Sequence, residues 1–310
     1  MHLNNLELRG CKNDSELLEV VNLCDAAFVE TPHEYFQRHI TKDNTLKYED
    51  TRILIKDGVI VSSVQVFPRS IYVNKEKISF AGIGNVATHP TFRGKGFAAT
   101  VLNDALEYSI KSGFDCSMLT TTLNRYYEKF GFNTVIRRKV CFSKLGNESP
   151  LIQVINFHEK IEELNSIYAT YNENKVGPIV RNEDYWKSQY LFCDEDKKLF
   201  LALYKSNRIH AYIRAKIADD KVLILEFASL HNAQESFLVL SQQLAAKVQL
   251  HSFEMLLSDD ELDNLGLLKS ENFIQDKELM ISFLNNDLKE TVKNLLTQPN
   301  KITFHLTDFF

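Results

Sequence analysis

Apolar positions along this chain alternate between two spacings, and the switches between them outline its elements. Residues 6–9 read as a short strand. Asn13 followed by Glu16 is a capping-box pattern, and Leu17, Val20, Val21, Leu23 and Cys24 follow at helical spacing. Thr31-Pro32-His33-Glu34 opens a second helix, with proline at its first position. Residues 52–56 and 59–67 are β-rich and flank Asp57-Gly58, a hairpin signal. Residues 70–73 extend this meander, and Asn74-Lys75-Glu76 turns it into a strand over 77–88. A helix is expected over 97–111, with Ala98, Val101, Leu102, Ala105, Leu106 and Ile110 on one stripe and Gly113 closing it. A buried strand over 116–121, a short helix over 126–130 and a last strand over 135–142 complete the order β-α-α-β-β-β-α-β-α-β.

Gly146-Asn147-Glu148-Ser149-Pro150 has the composition of a linker. Beyond it the theme repeats weakly. Helices are expected over 161–173 and 182–190, and a hairpin over 200–204 and 209–217 around Ser206-Asn207. A strand over 222–230, a helix over 236–249 and a strand over 253–257 follow. Residues 287–296 suit a helix that Pro299 breaks, and 302–310 are strand-like to the final Phe309-Phe310. Most chain ends fray, so an aromatic end suggests one that docks. The expected division is 1–146, 150–285 and a tail over 286–310.

Composition narrows the class. Of 310 residues 44% are hydrophobic and 25% charged, as in soluble globular proteins. No run approaches the roughly 18 apolar residues that span a bilayer, and the first residues lack the pattern of a signal peptide. Cys11, Cys24, Cys116, Cys141 and Cys193 are scattered and odd in number, which favours reduced thiols and a cytoplasmic location. No cysteine or histidine group has metal-ligand spacing, so no metal is expected. Basic residues exceed acidic by two in residues 1–150, and acidic exceed basic by seven in 151–310. No basic stripe points to nucleic acid. The acidic second half fits either attraction of a cationic amine or ordinary solubilising charge.

The segment from Val86 to Ala98 carries the chemistry. It reads as strand end, glycine-bearing loop and helix start. The first amides of a helix lack intrahelical partners, and the dipole adds about half a positive charge there. Glycine lets backbone approach a ligand closely. Together these make a cradle for a diphosphate, with Arg93 and Lys95 beside it. No Gly-Lys-Ser/Thr closes a P-loop, and Gly82 and Gly84 lie inside the strand, which excludes the dinucleotide fingerprint.

Arg93, Gly96 and Ala98 match the (Gln/Arg)-x-x-Gly-x-(Gly/Ala) signature, and Tyr127-x-Lys129-x-Gly131-Phe132 matches a second signature at the right separation. In both, the chain resembles the GNAT superfamily of acyl-CoA-dependent N-acetyltransferases. The degenerate second repeat and aromatic end further resemble the tandem-GNAT, Eis-like (enhanced intracellular survival) enzymes, without room for their third domain. The resemblance implies an α/β (α+β) fold of two tandem GNAT-like domains, each a mixed twisted sheet flanked by helices. The second is expected to be degenerate, because its loop, His231-Asn232-Ala233-Gln234-Glu235, has no glycine and carries an acid.

The implied activity is transfer of an acetyl group from acetyl-CoA to a primary amine of a small molecule or peptide, by direct attack in a ternary complex. Val86, Ala87 and Thr88 would pair with the pantetheine arm, one amide polarising the thioester carbonyl. Arg93, Gly94, Lys95, Gly96, Phe97, Ala98 and Ala99 would cradle the diphosphate, and Thr122 would touch the coenzyme. Tyr127 would protonate the leaving thiolate, and the α-carboxylate of Phe310 would accept the amine's proton. Asp25, Glu30, His33 and Glu34, on the first helical pair, could anchor a cationic acceptor. Homo-oligomers are compatible with the resemblance. Two other readings remain open: a non-catalytic acyl-CoA-binding or interaction module, and a transferase for a longer acyl donor.

Overall fold

The computed structural model describes residues 6–267 and 272–308. Its first half runs β1 (Leu6–Gly10), α1 (Asp14–Ala27), α2 (His33–Thr41), β2 (Thr51–Lys56), β3 (Val59–Val73), β4 (Glu76–Thr88), α3 (Phe97–Lys111), β5 (Cys116–Thr120), α4 (Asn124–Tyr127), β6 (Asn133–Thr134) and β7 (Arg137–Ser143). The second half continues with β8 (Ile152–Val154), α5 (Phe157–Asn172), β9 (Val176–Ile179), α6 (Glu183–Phe192), β10 (Leu201–Lys205), β11 (Arg208–Ala218), β12 (Lys221–Ser229) and α7 (Ala233–Val248). It ends with β13 (Ser252–Leu257), α8 (Asp259–Asn264), β14 (Asn272–Asp276), β15 (Leu279–Phe283) and α9 (Glu290–Thr297).

The strands form two mixed sheets flanked by helices, the α/β architecture that the element order implies. One sheet has the order β1-β2-β3-β4-β5-β15-β6, with β9 added against β3, and the other β14-β7-β13-β12-β11-β10-β8. β4 with β5 and β12 with β13 are parallel pairs. A parallel pair needs a crossover, which α3 and α7 supply. Val101, Leu102 and Ala105 of α3 pack on Val64, Val66, Ala81 and Ile83 on one face of the first sheet. Val20, Val21 and Cys24 of α1 and Phe36 and Ile40 of α2 pack on Ile53 and Ala87 on the other.

The sheets do not respect a boundary near residue 146. β7, expected as the last strand of the first unit, lies in the second sheet between β13 and β14. Reciprocally, β15 lies in the first sheet between β5 and β6. Core chemistry drives the exchange. Val140 and Phe142 complete an apolar cluster with Phe237, Phe253 and Met255, while Leu279 and Ile281 complete one with Phe80, Cys116 and Met118.

The tail departs from the sequence reading. Residues 302–305 form no strand and 306–308 make a single 3-10 turn. Ile302 and Phe304 are buried against Ile71, Val73 and Phe80 of the first sheet. The intervening polar residues bond through side chains rather than a ladder: Thr303 Oγ1 donates to Glu261 over 3.0 Å, and His305 Nε2 pairs with Asn172 at 3.2 Å. Asp308 receives Nη2 of Arg181 at 2.7 Å, the hydroxyl of Tyr185 at 3.0 Å and Nε2 of Gln189 at 2.8 Å. Arg181 is also held bidentate by Glu226 of β12, at 3.0 and 2.6 Å. Burial costs that guanidinium its hydration, and the two carboxylates more than restore its charge.

Candidate active site

The site begins with a fault in β4. Gln65 pairs with Gly84 and Ser63 with Ala87, so Asn85 and Val86 oppose the single residue Val64. This is a β-bulge, and Asn85 sits in it at φ 49°. The bulge re-aims the strand. β4 pairs with β5 only from Phe80–Cys116 to Gly82–Met118, although β4 runs on to Thr88 and β5 to Thr120. The two strands diverge beyond Gly82, and the outward backbone edge of Val86, Ala87 and Thr88 has no β5 partner. On the other side Ser62 fixes the strand end, its hydroxyl donating to Ala87 O at 2.7 Å and pairing with Thr88 Oγ1 at 2.8 Å.

The loop that follows is shaped by two glycines. Gly94 has φ 77° and Gly96 φ 80°, backbone that other residues adopt at a cost. Gly96 is the N-cap of α3, and its missing side chain leaves the first amides uncapped. A Cβ on either glycine would meet nothing within 4 Å, so open space faces both. The first turn of α3 carries no acid. Its N-terminus therefore presents free amides and an unopposed positive dipole. Arg93 closes the near wall, its Nη2 donating to Ala27 O at the end of α1 over 2.7 Å.

Between the diverging strands and this loop lies a cleft of about 460 Å³. Val86, Ala87, Thr88, Arg93, Gly94, Gly96, Phe97, Ala98 and Ala99 line it, together with Tyr127. Lys95 is not among the lining residues; its ammonium lies 5.0 Å from the centre of the Phe92 ring. Thr122 lines an adjoining depression that shares Leu123 and Tyr126 with the cleft. Phe310 lies outside the described residues. Ala27, Phe28, Phe92, Leu123 and Tyr126 also line the cleft. Phe92 lies within the Val86–Ala98 segment and Tyr126 beside Tyr127, while Ala27, Phe28 and Leu123 carry no signal in the sequence.

Tyr127 is 9% exposed and packs with Phe132 and the α3 core. Burial, with Tyr126 beside it, pushes its phenol up to about 12, so it stays protonated at neutral pH. The two tyrosine rings meet edge to face at 5.0 Å. The Tyr126 hydroxyl is buried without a partner among the described residues. Cys116 on β5 is fully buried and its thiol is pushed far up by burial, which suits packing rather than nucleophilic attack.

The second half has a helix start at the equivalent place, built differently. Asn232, at φ 47°, caps α7: its Oδ1 accepts from Glu235 N, and its Nδ2 donates to the Glu235 carboxylate at 2.6 Å. The acid and the cap occupy the positions an anion would need. Phe227 of β12 and Phe237 of α7 pack edge to face at 5.2 Å in the core of the second sheet. Among the described residues no group of histidine, cysteine, aspartate or glutamate could hold a metal ion. Among them, too, no helix is long and apolar enough to cross a membrane.

Comparison with known proteins agrees with this geometry. No curated protein matches the chain. Among solved structures it is similar to a conserved protein of unknown function from Enterococcus faecalis V583 described as a probable N-acyltransferase, with TM-score 0.71, 18% identity and coverage of 90% of this chain and 73% of that one. It is similar to Eis1 from Mycobacterium abscessus, with TM-score 0.65, 13% identity and coverage of 90% and 73%. It is also similar to Saccharomyces cerevisiae N-myristoyltransferase with bound myristoyl-CoA, with TM-score 0.60, 11% identity and coverage of 91% and 80%. At such identities the likeness is one of fold. Residues 9–135, which include the bulge, the cradle and Tyr127, match the acetyltransferase (GNAT) domain.

Proposed function

We propose that the protein is an acyl-CoA-dependent N-acyltransferase that moves an acetyl group to a primary amine by direct attack. The observation that carries this reading is the coincidence, in one cleft, of a strand edge without a ladder partner among the described residues, an uncapped helix start and a protonated phenol. Each matches one part of the donor. The edge of Val86 to Thr88 offers main-chain groups to pantetheine amides. The amides after Gly94 suit the diphosphate, and Arg93 and Lys95 add charge. Thr122 stands at the rim as a further contact.

In the reaction the neutral amine nitrogen attacks the thioester carbon. A C–N bond forms, the C–S bond breaks, and the thiolate takes the Tyr127 proton. A backbone amide on β4 stabilises the developing oxyanion, an effect worth roughly 3 kcal/mol. The amine's proton passes to a base, for which the α-carboxylate of Phe310 is our candidate. Residues 1–146 supply the donor site in this reading, 150–285 a structural partner and 286–310 the docking tail. The unpaired thiols of all five cysteines suit a reducing, cytoplasmic setting.

Calorimetric titration with coenzyme A tests binding, and release of free thiol from acetyl-, octanoyl- and myristoyl-CoA with a panel of amines tests transfer. Tight binding with acetyl turnover is expected. Coenzyme binding without turnover on any amine would instead make this a binding module, and turnover confined to the longer donors would reassign the acyl group.

A further inference from the structure

We propose that the cavity beneath α1 and α2 is the acceptor site, and that it takes a primary amine which also carries a hydroxyl or carbonyl oxygen. This deepens the acyl-transfer reading and rests on it. The cavity measures about 700 Å³ and is roofed by Leu17 and Leu18 of α1 and Ile40 of α2. Its floor is the sheet itself, where Thr51 and Gln65 are register partners and so share one face. Both are 1% exposed. Neither Thr51 Oγ1 nor Gln65 Nε2 has a hydrogen-bond partner among the described residues.

A buried donor left unpaired costs about 1–3 kcal/mol, so two on one floor call for an explanation. A ligand oxygen supplies it. The Gln65 amide is already oriented, because its Oε1 accepts from Asn85 Nδ2 at 2.8 Å and leaves Nε2 as the free donor. The Thr51 hydroxyl can give or accept. The cavity's charged lining is acidic: Asp14 and Glu49 stand at the mouth, Asp43 is held by Arg69, and Lys47 is the single base among the lining residues. That balance favours a cationic acceptor on approach.

The floor also adjoins β4, the strand that forms one wall of the donor cleft. Gln65 pairs with Gly84 and Phe67 with Gly82, so β4 carries no side chain on that face next to them. Adjacent strands lie about 5 Å apart. The bare stretch therefore runs from Gln65 to the point where β4 leaves β5. Asn85, which holds Gln65, directly precedes Val86 of the cleft. A molecule anchored by its oxygen at Gln65 can place an amine a few ångströms away, beside the thioester.

The test uses the full chain and three probes: glucosamine, alaninamide and cadaverine, the last an alkyl diamine without oxygen. The side-chain amide signal of Gln65 is identified in nitrogen-15 spectra by its loss in Gln65→Glu, and each probe is titrated. Coenzyme A affinity is measured separately by calorimetry. Glucosamine or alaninamide should shift the signal, and cadaverine should bind at least tenfold more weakly. Gln65→Glu and the isosteric Thr51→Val should each weaken the oxygen-bearing probe about tenfold while coenzyme A affinity holds, and Thr51→Val should also keep the parent's melting temperature. The proposal falls if no oxygen-bearing probe shifts the signal, if cadaverine binds equally well, or if both variants bind like the parent. If coenzyme A fails to bind the parent while a probe still shifts Gln65, the cavity binds amines but is no acceptor site, and the fault lies with the transferase reading.

Discussion

Replacing Gly96 with alanine tests the cradle without introducing a clash. A Cβ there meets nothing within 4 Å, so the whole effect is backbone strain at φ 80°. For an L-residue that strain is roughly 1–2 kcal/mol. The loop can respond in two ways. It can hold its conformation, in which case stability falls by that amount and coenzyme affinity is kept. Or it can relax to negative φ, in which case the amides swing away and affinity falls by up to the same amount, about 5- to 30-fold. Gly113 provides the control. It has φ 80° and equally empty surroundings, but it follows the far end of α3.

Gly96→Ala and Gly94→Ala are expected to weaken coenzyme A about 5- to 30-fold by calorimetry. Gly113→Ala should lower the melting temperature by a few degrees and leave affinity alone. Gly96→Asn should also weaken coenzyme A although asparagine tolerates left-handed backbone, because its side chain would cap the first amides of α3 as Asn232 caps those of α7. If Gly96→Ala bound coenzyme A within twofold of the parent, and lost only what Gly113→Ala loses, the amides after Gly94 would not be the diphosphate site.

Tyr127→Phe should lower kcat by roughly 10²- to 10⁴-fold with little change in acetyl-CoA affinity. With its phenol held near 12, the parent's turnover should show no tyrosine limb below about pH 10 in a pH–rate profile. Removing Phe309-Phe310 should abolish turnover in a thiol-release assay while coenzyme A still binds, and unchanged turnover would remove the terminal carboxylate as base. Burial pushes the Glu226 carboxyl up, but Arg181 and Arg214 more than reverse this and hold it well below its usual range. Its stabilisation is thus complete above about pH 4.5 and is lost as pH falls below that. Glu226→Gln should cost about 3–5 kcal/mol at pH 7 and flatten the acid limb of a melting-temperature profile.

Most of the first sheet was legible because each element bears its own signal. The helix expected over 97–111 coincides with α3, since its apolar stripe and flanking glycines agree. Asp57-Gly58 marks the β2–β3 turn, with Asp57 at φ 51° and Gly58 at φ 84°. The strand exchange was not legible. β7 has the same apolar pattern whether Val140 and Phe142 face their own half or the other, and local pattern cannot choose between two cores. β14 and β15 were both missed, although Leu279-Met280-Ile281-Ser282-Phe283 is strand-forming, because no turn or spacing signal sets this stretch apart from the loop around it. The bulge at Asn85 was hidden for a related reason: it depends on β3 running straight opposite. The tail misled because Thr303, His305 and Thr307 alternate with apolar residues as in a strand, yet their partners are buried side chains of the second half.

The exchange makes the second half part of the candidate site even though its own helix start is capped. β15 pairs along all of β5, from Leu279–Thr120 to Phe283–Cys116. β5 is the strand that delivers the chain to α4 and Tyr127. Thr121 N donates to Glu278 O at 2.9 Å. Asn124 Nδ2, at the first position of α4, donates to Lys277 O at 2.8 Å and to Thr134 Oγ1 at 2.9 Å. The phenol's position is thus set by backbone from residues 277–283, while the loop around Gly94 and Gly96 is set by residues of the first half. A piece ending near residue 146 would keep the cradle, lose the strand beside β5, and carry an unpaired β7 whose Val140 and Phe142 have no core to enter. In the proposed reaction, donor binding and proton delivery therefore depend on different halves of the chain, and the buried Arg137–Asp276 ion pair is one of the contacts that keep those halves in register.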